Sequence, residues 1–156
     1  ALLAGTMDAA VLSVEQRYLG LDKGMREMFF FGNEVKNSWG TLATTDKTIK
    51  ENPKMISSFV RAALKSLRYM RQDKEGTVAA MMKFAGVSQQ QATRVYEDLI
   101  GTFTRNGAVD EEAQKNDLDI IRQVVNASQP VPSNRAYDFT FALQADQQLN
   151  KIGWKP

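Results

Sequence analysis

One amphipathic stretch constrains the fold of this chain more than any other feature. Ile56, Phe59, Val60, Ala63, Leu64, Leu67 and Met70 recur at spacings of three and four behind Asn52 and Pro53. That spacing puts them on one stripe of an α-helix. Asn52 is a good N-cap, and Pro53 suits the first helical position, where its missing N–H is not needed. A helix of this kind must bury its stripe. The chain has the apolar content for that, with 43% hydrophobic and 24% charged residues and 10 Gly and 4 Pro among 156 residues, which excludes disordered and collagen-like chains.

Downstream the pattern stays helical. Residues 75–85 read as a helix with Val78, Met81, Met82 and Ala85 on its inner side and Gly86 as its stop. Ser88 and Gln91 have the spacing of a capping box, opening a helix through Ala92, Val95, Tyr96, Leu99, Ile100 and Phe103 that stops at Asn106 and Gly107. Asp110 caps another, with Glu111 and Glu112 favoured in its first turn by the helix dipole and Leu118, Ile121, Val124 and Val125 along its length. Residues 126–134 read as a loop, and residues 137–151 as a last helix ended by Gly153. Upstream the pattern differs. The short apolar runs AAVL (9–12) and MFFF (28–31), bounded by turn residues, read as buried strands around a helix at 14–23. Residues 39–44 read as a third extended segment. Strand, helix, strand is the signature of a parallel α/β unit.

The chain has no Cys and no His, so it cannot supply a Cys/His zinc site, Cys chemistry or a Ser-His-Asp triad. Twenty Lys and Arg against 18 Asp and Glu give a formal net charge of +2. Between Asp46 and Lys74, eight basic residues meet three acidic ones. Arg61, Lys65, Arg68 and Arg71 fall opposite the apolar stripe and read as a solvated face, not as a nucleic-acid surface. Glu97 and Asp98 are adjacent on one helix and point apart, and Asp117 and Asp119 read as solvated. No metal or catalytic constellation emerges. In a parallel unit the strand ends are where a small ligand meets backbone N–H groups and hydroxyls. These are Ser13, Val14 and Glu15 after the first strand, and Asn37, Ser38, Trp39, Gly40 and Thr41 at the start of the third segment.

The strings LLAGTMDAAVLS, GTLATTDKTIKENPKMISSFVRAALKSLRYMR and YDFTFALQADQQLNKIGWKP resemble the C-terminal half of bacterial ABC-transporter substrate-binding proteins of the nitrate/sulfonate/taurine class. The carriers are an AG-x-x-DAA strand, a TD-K-x-I-x-x-NP helix start and a C-terminal GW. The resemblance implies a helix-rich α/β chain, part of a type 2 periplasmic binding protein, with a βαβ unit of one lobe and a C-terminal set of about five helices. Residues 1–36 would end the second lobe, 37–46 cross between lobes, and 47–156 pack on the first.

It further implies a periplasmic solute receptor, or an extracellular membrane-anchored one. Such a receptor is not an enzyme. It needs no cofactor, takes a small organic or oxyanion ligand at Ser13, Val14, Glu15, Trp39, Gly40 and Thr41, and delivers it to ABC permease subunits. Family members commonly have Pro after that Ser, where this chain has Val14 and Glu15. A buried Glu15 disfavours an anionic ligand. The alternatives are half of a thiamine-pyrimidine synthase-like enzyme and the effector domain of a transcription regulator. The opening without Met reads as an interior cut, from which self-association of an incomplete lobe is expected.

Overall fold

A computed structural model describes residues 1–38 and 40–156. Apart from one 3₁₀ turn at Leu2–Ala4, the regular structure among them is α-helical: α1 (Val14–Asp22), α2 (Phe31–Glu34), α3 (Asp46–Glu51), α4 (Pro53–Gln72), α5 (Lys74–Ala85), α6 (Gln89–Leu99), α7 (Glu111–Val124), α8 (Ser133–Ala136) and α9 (Thr140–Lys151). The chain divides into two compact units, Ala1–Phe31 with Met70–Phe103, and Gly32–Tyr69 with Thr104–Pro156.

In the first unit α6 packs on both α5 and α1. Val78, Ala92 and Tyr96 form its buried centre, with Met81, Met82, Val87 and Ile100 around them. The local signals place these helices well. Asp73 accepts from the Gly76 N–H at 2.8 Å to cap α5, and Gly86 ends it at φ 66°. The Ser88/Gln91 capping box forms in full at the start of α6. Polar contacts then lock α1 to α6. Arg17 donates to Asp98 at 2.7 Å and also pairs with Glu27, and the Tyr18 hydroxyl donates to Asp98 at 2.5 Å. The Tyr18 ring lies against both the Arg17 and the Arg94 guanidinium groups.

The second unit is built on α4 and α9. Leu64, Ala145 and Leu149 are its buried centre, with Leu67 and Trp154 packed on them. The chain comes close at Gly107, whose φ is 83° and where a Cβ would sit 2.8 Å from the Ala142 Cβ and 3.2 Å from the Leu64 side chain. Only glycine meets both demands there. The basic residues of α4 are not simply solvated. Arg68 donates to Asp146 at 2.7 Å and to Asn150 at 2.6 Å, and the Lys65 ammonium lies 5.2 Å from the Trp154 ring centre. Arg68 follows Leu67 at the edge of the buried stripe, so its fork reaches α9.

The expected α/β architecture is overturned. Among the described residues there is no strand, hence no βαβ unit and no parallel sheet of a periplasmic binding protein. Residues 9–12 and 28–30 are irregular, with Val11 77% and Met28 73% exposed. Residues 40–44 are also irregular and exposed, and Trp39 lies outside the described residues. A strand needs a neighbour for its backbone N–H and C=O groups, and an apolar run does not supply one.

Three helix boundaries also move. Thr45 caps an extra helix, α3, by accepting from the Thr48 N–H, and Asn52 breaks it from α4. Helix α6 stops at Leu99, and residues 102–107 form a turn in which Thr104 Oγ1 donates to the Ala108 carbonyl and accepts from the Gly107 N–H. The loop at 126–134 holds the start of α8, and α9 begins at Thr140, after Asp138 accepts its N–H.

Candidate functional site

The second unit carries a cleft of about 580 Å³ between the segment 32–36 and one side of α7. Glu112, Asn116, Asp119, Ile120 and Gln123 form the helical wall, at a spacing that keeps them on one side. Asp110 starts that helix by accepting the Ala113 N–H at 3.0 Å. The facing segment is tied down at three points. Lys36 Nζ lies 2.6 Å from Glu112 and 3.2 Å from Asp110, and the Lys36 carbonyl accepts from the Asn116 amide at 2.7 Å. Two residues on, the Ser38 N–H donates to Asp117 at 2.9 Å and its hydroxyl donates to the same carboxylate, which also accepts from the Tyr137 hydroxyl at 2.9 Å.

These ties shape the electrostatics. The Lys36 ammonium is held above its ordinary pKa by its hydrogen bonds to Glu112 and then Asp110. The Asp110 carboxyl is held below the usual carboxylate range, first by the Ala113 N–H and then by Lys36. Burial pushes the Tyr137 phenol up, and its bond to Asp117 adds to that. Each of these three groups already has a structural partner. Among the described residues no group of three His, Cys, Asp or Glu is placed to hold a metal ion. The cleft lining combines the carboxylates of Glu34 and Glu112 with Asp119, which lies 4.0 Å from Arg122, and the exposed Ile120 side chain.

The residues expected to bind ligand do not line this cleft. Ser13, Val14 and Glu15 belong to the first unit, where Ser13 is the N-cap residue of α1, Val14 is half-buried and Glu15 is exposed. Gly40 and Thr41 belong to the second unit and are exposed in irregular chain, while Trp39 lies outside the described residues. Sequence reasoning missed Lys36 and Tyr137, placed Ser38 at a strand end where there is no strand among the described residues, and took Asp117 as solvated. The partners of Asp117 lie 79 and 20 residues away in sequence, and no local pattern announces them.

No family model and no solved structure matches the chain. It is similar to NAD(P)H-quinone oxidoreductase subunit U, chloroplastic, of Arabidopsis thaliana, with 28% identity over 110 residues. The match takes in 70% of this chain and 49% of that protein, so the chain spans about half the length of the curated relative it matches.

The solute-receptor reading is therefore corrected on two counts. Without strands among the described residues there is no interlobe cleft formed at sheet ends, and the relative is named as an oxidoreductase subunit, not as an ABC solute-binding protein. The ABC permease partners and the periplasmic location rested on that resemblance and fall with it.

Proposed function

We propose that this chain is a protein-docking subunit of a multi-subunit oxidoreductase of the NAD(P)H–quinone class, contributing contact surface and not the reacting groups. The observation that carries this reading is the 28% identity over 110 residues to a protein named as a subunit of such an enzyme. The side-chain inventory is in keeping with it. On α7, Ile121, Val124 and Val125 are each more than half exposed. They continue beyond Ala113 and Asp117, which are covered within the unit. Apolar surface left open on a folded unit is the ordinary mark of an interaction site.

The test is native gel electrophoresis of the tagged chain from its own cells, with quinone reduction by NAD(P)H read in the gel. The chain is expected in a high-mass band that carries the activity, and its deletion should lower both the band and the activity. Ile121→Glu with Val124→Glu should release the chain from the band while leaving its helix content unchanged. Migration as a free monomer, with quinone reduction untouched by deletion, would overturn the proposal.

A further inference from the structure

Residues 25–31 of the first unit form a strap fixed to α1 on one side and bare on the other. The Met25 N–H donates to the Gly20 carbonyl at 3.0 Å, and the Met25 side chain packs against the buried Gly20. Glu27 is clasped by Arg17, and the Phe30 ring lies 4.8 Å from the Arg17 guanidinium carbon. Between and beyond these anchors Met28, Phe29 and Phe31 face solvent at 73, 56 and 50% exposure. The Phe29 and Phe31 rings meet edge to face at 4.8 Å.

Both carboxylates within residues 22–31 are paired. Glu27 is neutralised by Arg17, and Asp22 pairs with Arg94 at 3.1 Å. Lys23 and Arg26 are exposed and form no ion pair among the described residues. What remains is an anchored aromatic and methionine knuckle flanked by two unpaired cations.

We propose that this knuckle is a peripheral docking site for an anionic lipid surface, with Phe29, Phe31 and Met28 entering the headgroup boundary and Lys23 and Arg26 meeting lipid phosphates. The cations favour this occupant over a second copy of the chain, because a two-fold contact through the knuckle would bring the same positive pair together from both sides. No helix among the described residues is long and apolar enough to cross a membrane, so the contact is surface attachment. The inference rests on the first unit alone and does not depend on the proposed enzyme.

The probes are phosphatidylcholine vesicles with and without phosphatidylglycerol, sedimented with the whole chain. Binding is expected on the anionic vesicles and should weaken with added salt. Lys23→Gln with Arg26→Gln should lower it about twenty-fivefold, at about fivefold for each cation. Phe29→Ser with Phe31→Ser should lower it at least about tenfold, with circular dichroism unchanged because both rings are exposed. Phe84→Ser, at a 95% exposed site on α5, should leave binding as it was. The proposal is overturned by equal binding to neutral vesicles, by an equal loss in Phe84→Ser, or by a concentration-dependent dimer abolished by Phe29→Ser with Phe31→Ser and no vesicle binding.

Discussion

The two units hold together by different means. In the first, the apolar centre of Val78, Ala92 and Tyr96 is supplemented by a charged clasp in which Arg17, Tyr18 and Asp98 join α1 to α6. In the second, small residues let helices and chain approach closely. Ala142 and Ala145 lie beside Gly107 and Leu64, and the charged pair Arg68 and Asp146 lies at the edge of that contact. The first unit should therefore tolerate lost methyl groups better than lost charges, and the second the reverse.

The sharpest way to break this contrast is a cavity. Leu149 is 1% exposed in the second unit, and Leu149→Ala should cost about 2–5 kcal/mol. Amide exchange should show the loss concentrated in α4 and α9. If α5 and α6 lose protection equally, the two units unfold as one and the contrast fails.

Gly107→Ala attacks the same close approach from the backbone. It forces an L side chain to φ 83° and pushes its Cβ onto Ala142, so a loss of about 1–3 kcal/mol is expected by chemical denaturation. A neutral result would mean that the close packing contributes little.

The charged clasps come next. Arg17→Met removes the cation from Asp98 and Glu27, and Arg68→Met removes it from Asp146; the side chains in these pairs are all less than a third exposed. Each should cost about 1–3 kcal/mol. Thermal unfolding should show the larger drop for Arg17, which serves two carboxylates, and the reverse order would contradict the contrast.

Ser88→Ala, which removes the capping box of α6, should cost about 1 kcal/mol. Helix content near residues 88–91, read by NMR chemical shifts, would localise the effect.

The smallest effect is one the units share. Burial first, and a bonded aspartate second, raise the phenol pKa of both Tyr18 and Tyr137. The folded state thus keeps its phenol proton longer than the unfolded chain does. The stability linked to each tyrosine is fully present below the ordinary phenol value of about 10 and is lost as pH rises through the raised folded value. Ultraviolet titration should show Tyr18 and Tyr137 ionising late. Tyr18→Phe and Tyr137→Phe should each remove a late component, and a titration curve whose late part neither substitution changes would remove this common feature.

Much of the helical framework was legible. Ser88 with Gln91, Asp110, Gly86 and the stripe through Leu64 each produced the expected local structure. The N-terminal runs were not. AAVL and MFFF carry the composition of buried strands, yet the chain near MFFF is held through Glu27 and Phe30 on Arg17, and among the described residues there is no strand edge to pair with the backbone of either run. Of the three motifs that carried the receptor resemblance, AG-x-x-DAA lies at the first of these runs, and the strand it implied does not form. The cleft was illegible for a related reason. Lys36 and Ser38 acquire their meaning only from Glu112, Asn116 and Asp117 on a helix far along the chain.

By itself, then, the sequence determined where helices start, stop and carry apolar stripes, because caps and helical hydrogen bonds join residues three or four apart. Only the tertiary structure decided which apolar runs are covered and which charges are paired. Arg68 became a half-buried, paired cation and not a solvated one because Asp146 and Asn150 arrived beside it from α9. Met28 and Phe29 stayed bare because nothing within their unit arrived to cover them. Strand pairing, burial and ion pairing all require a partner brought by the fold, and a local pattern records the need for that partner without its identity.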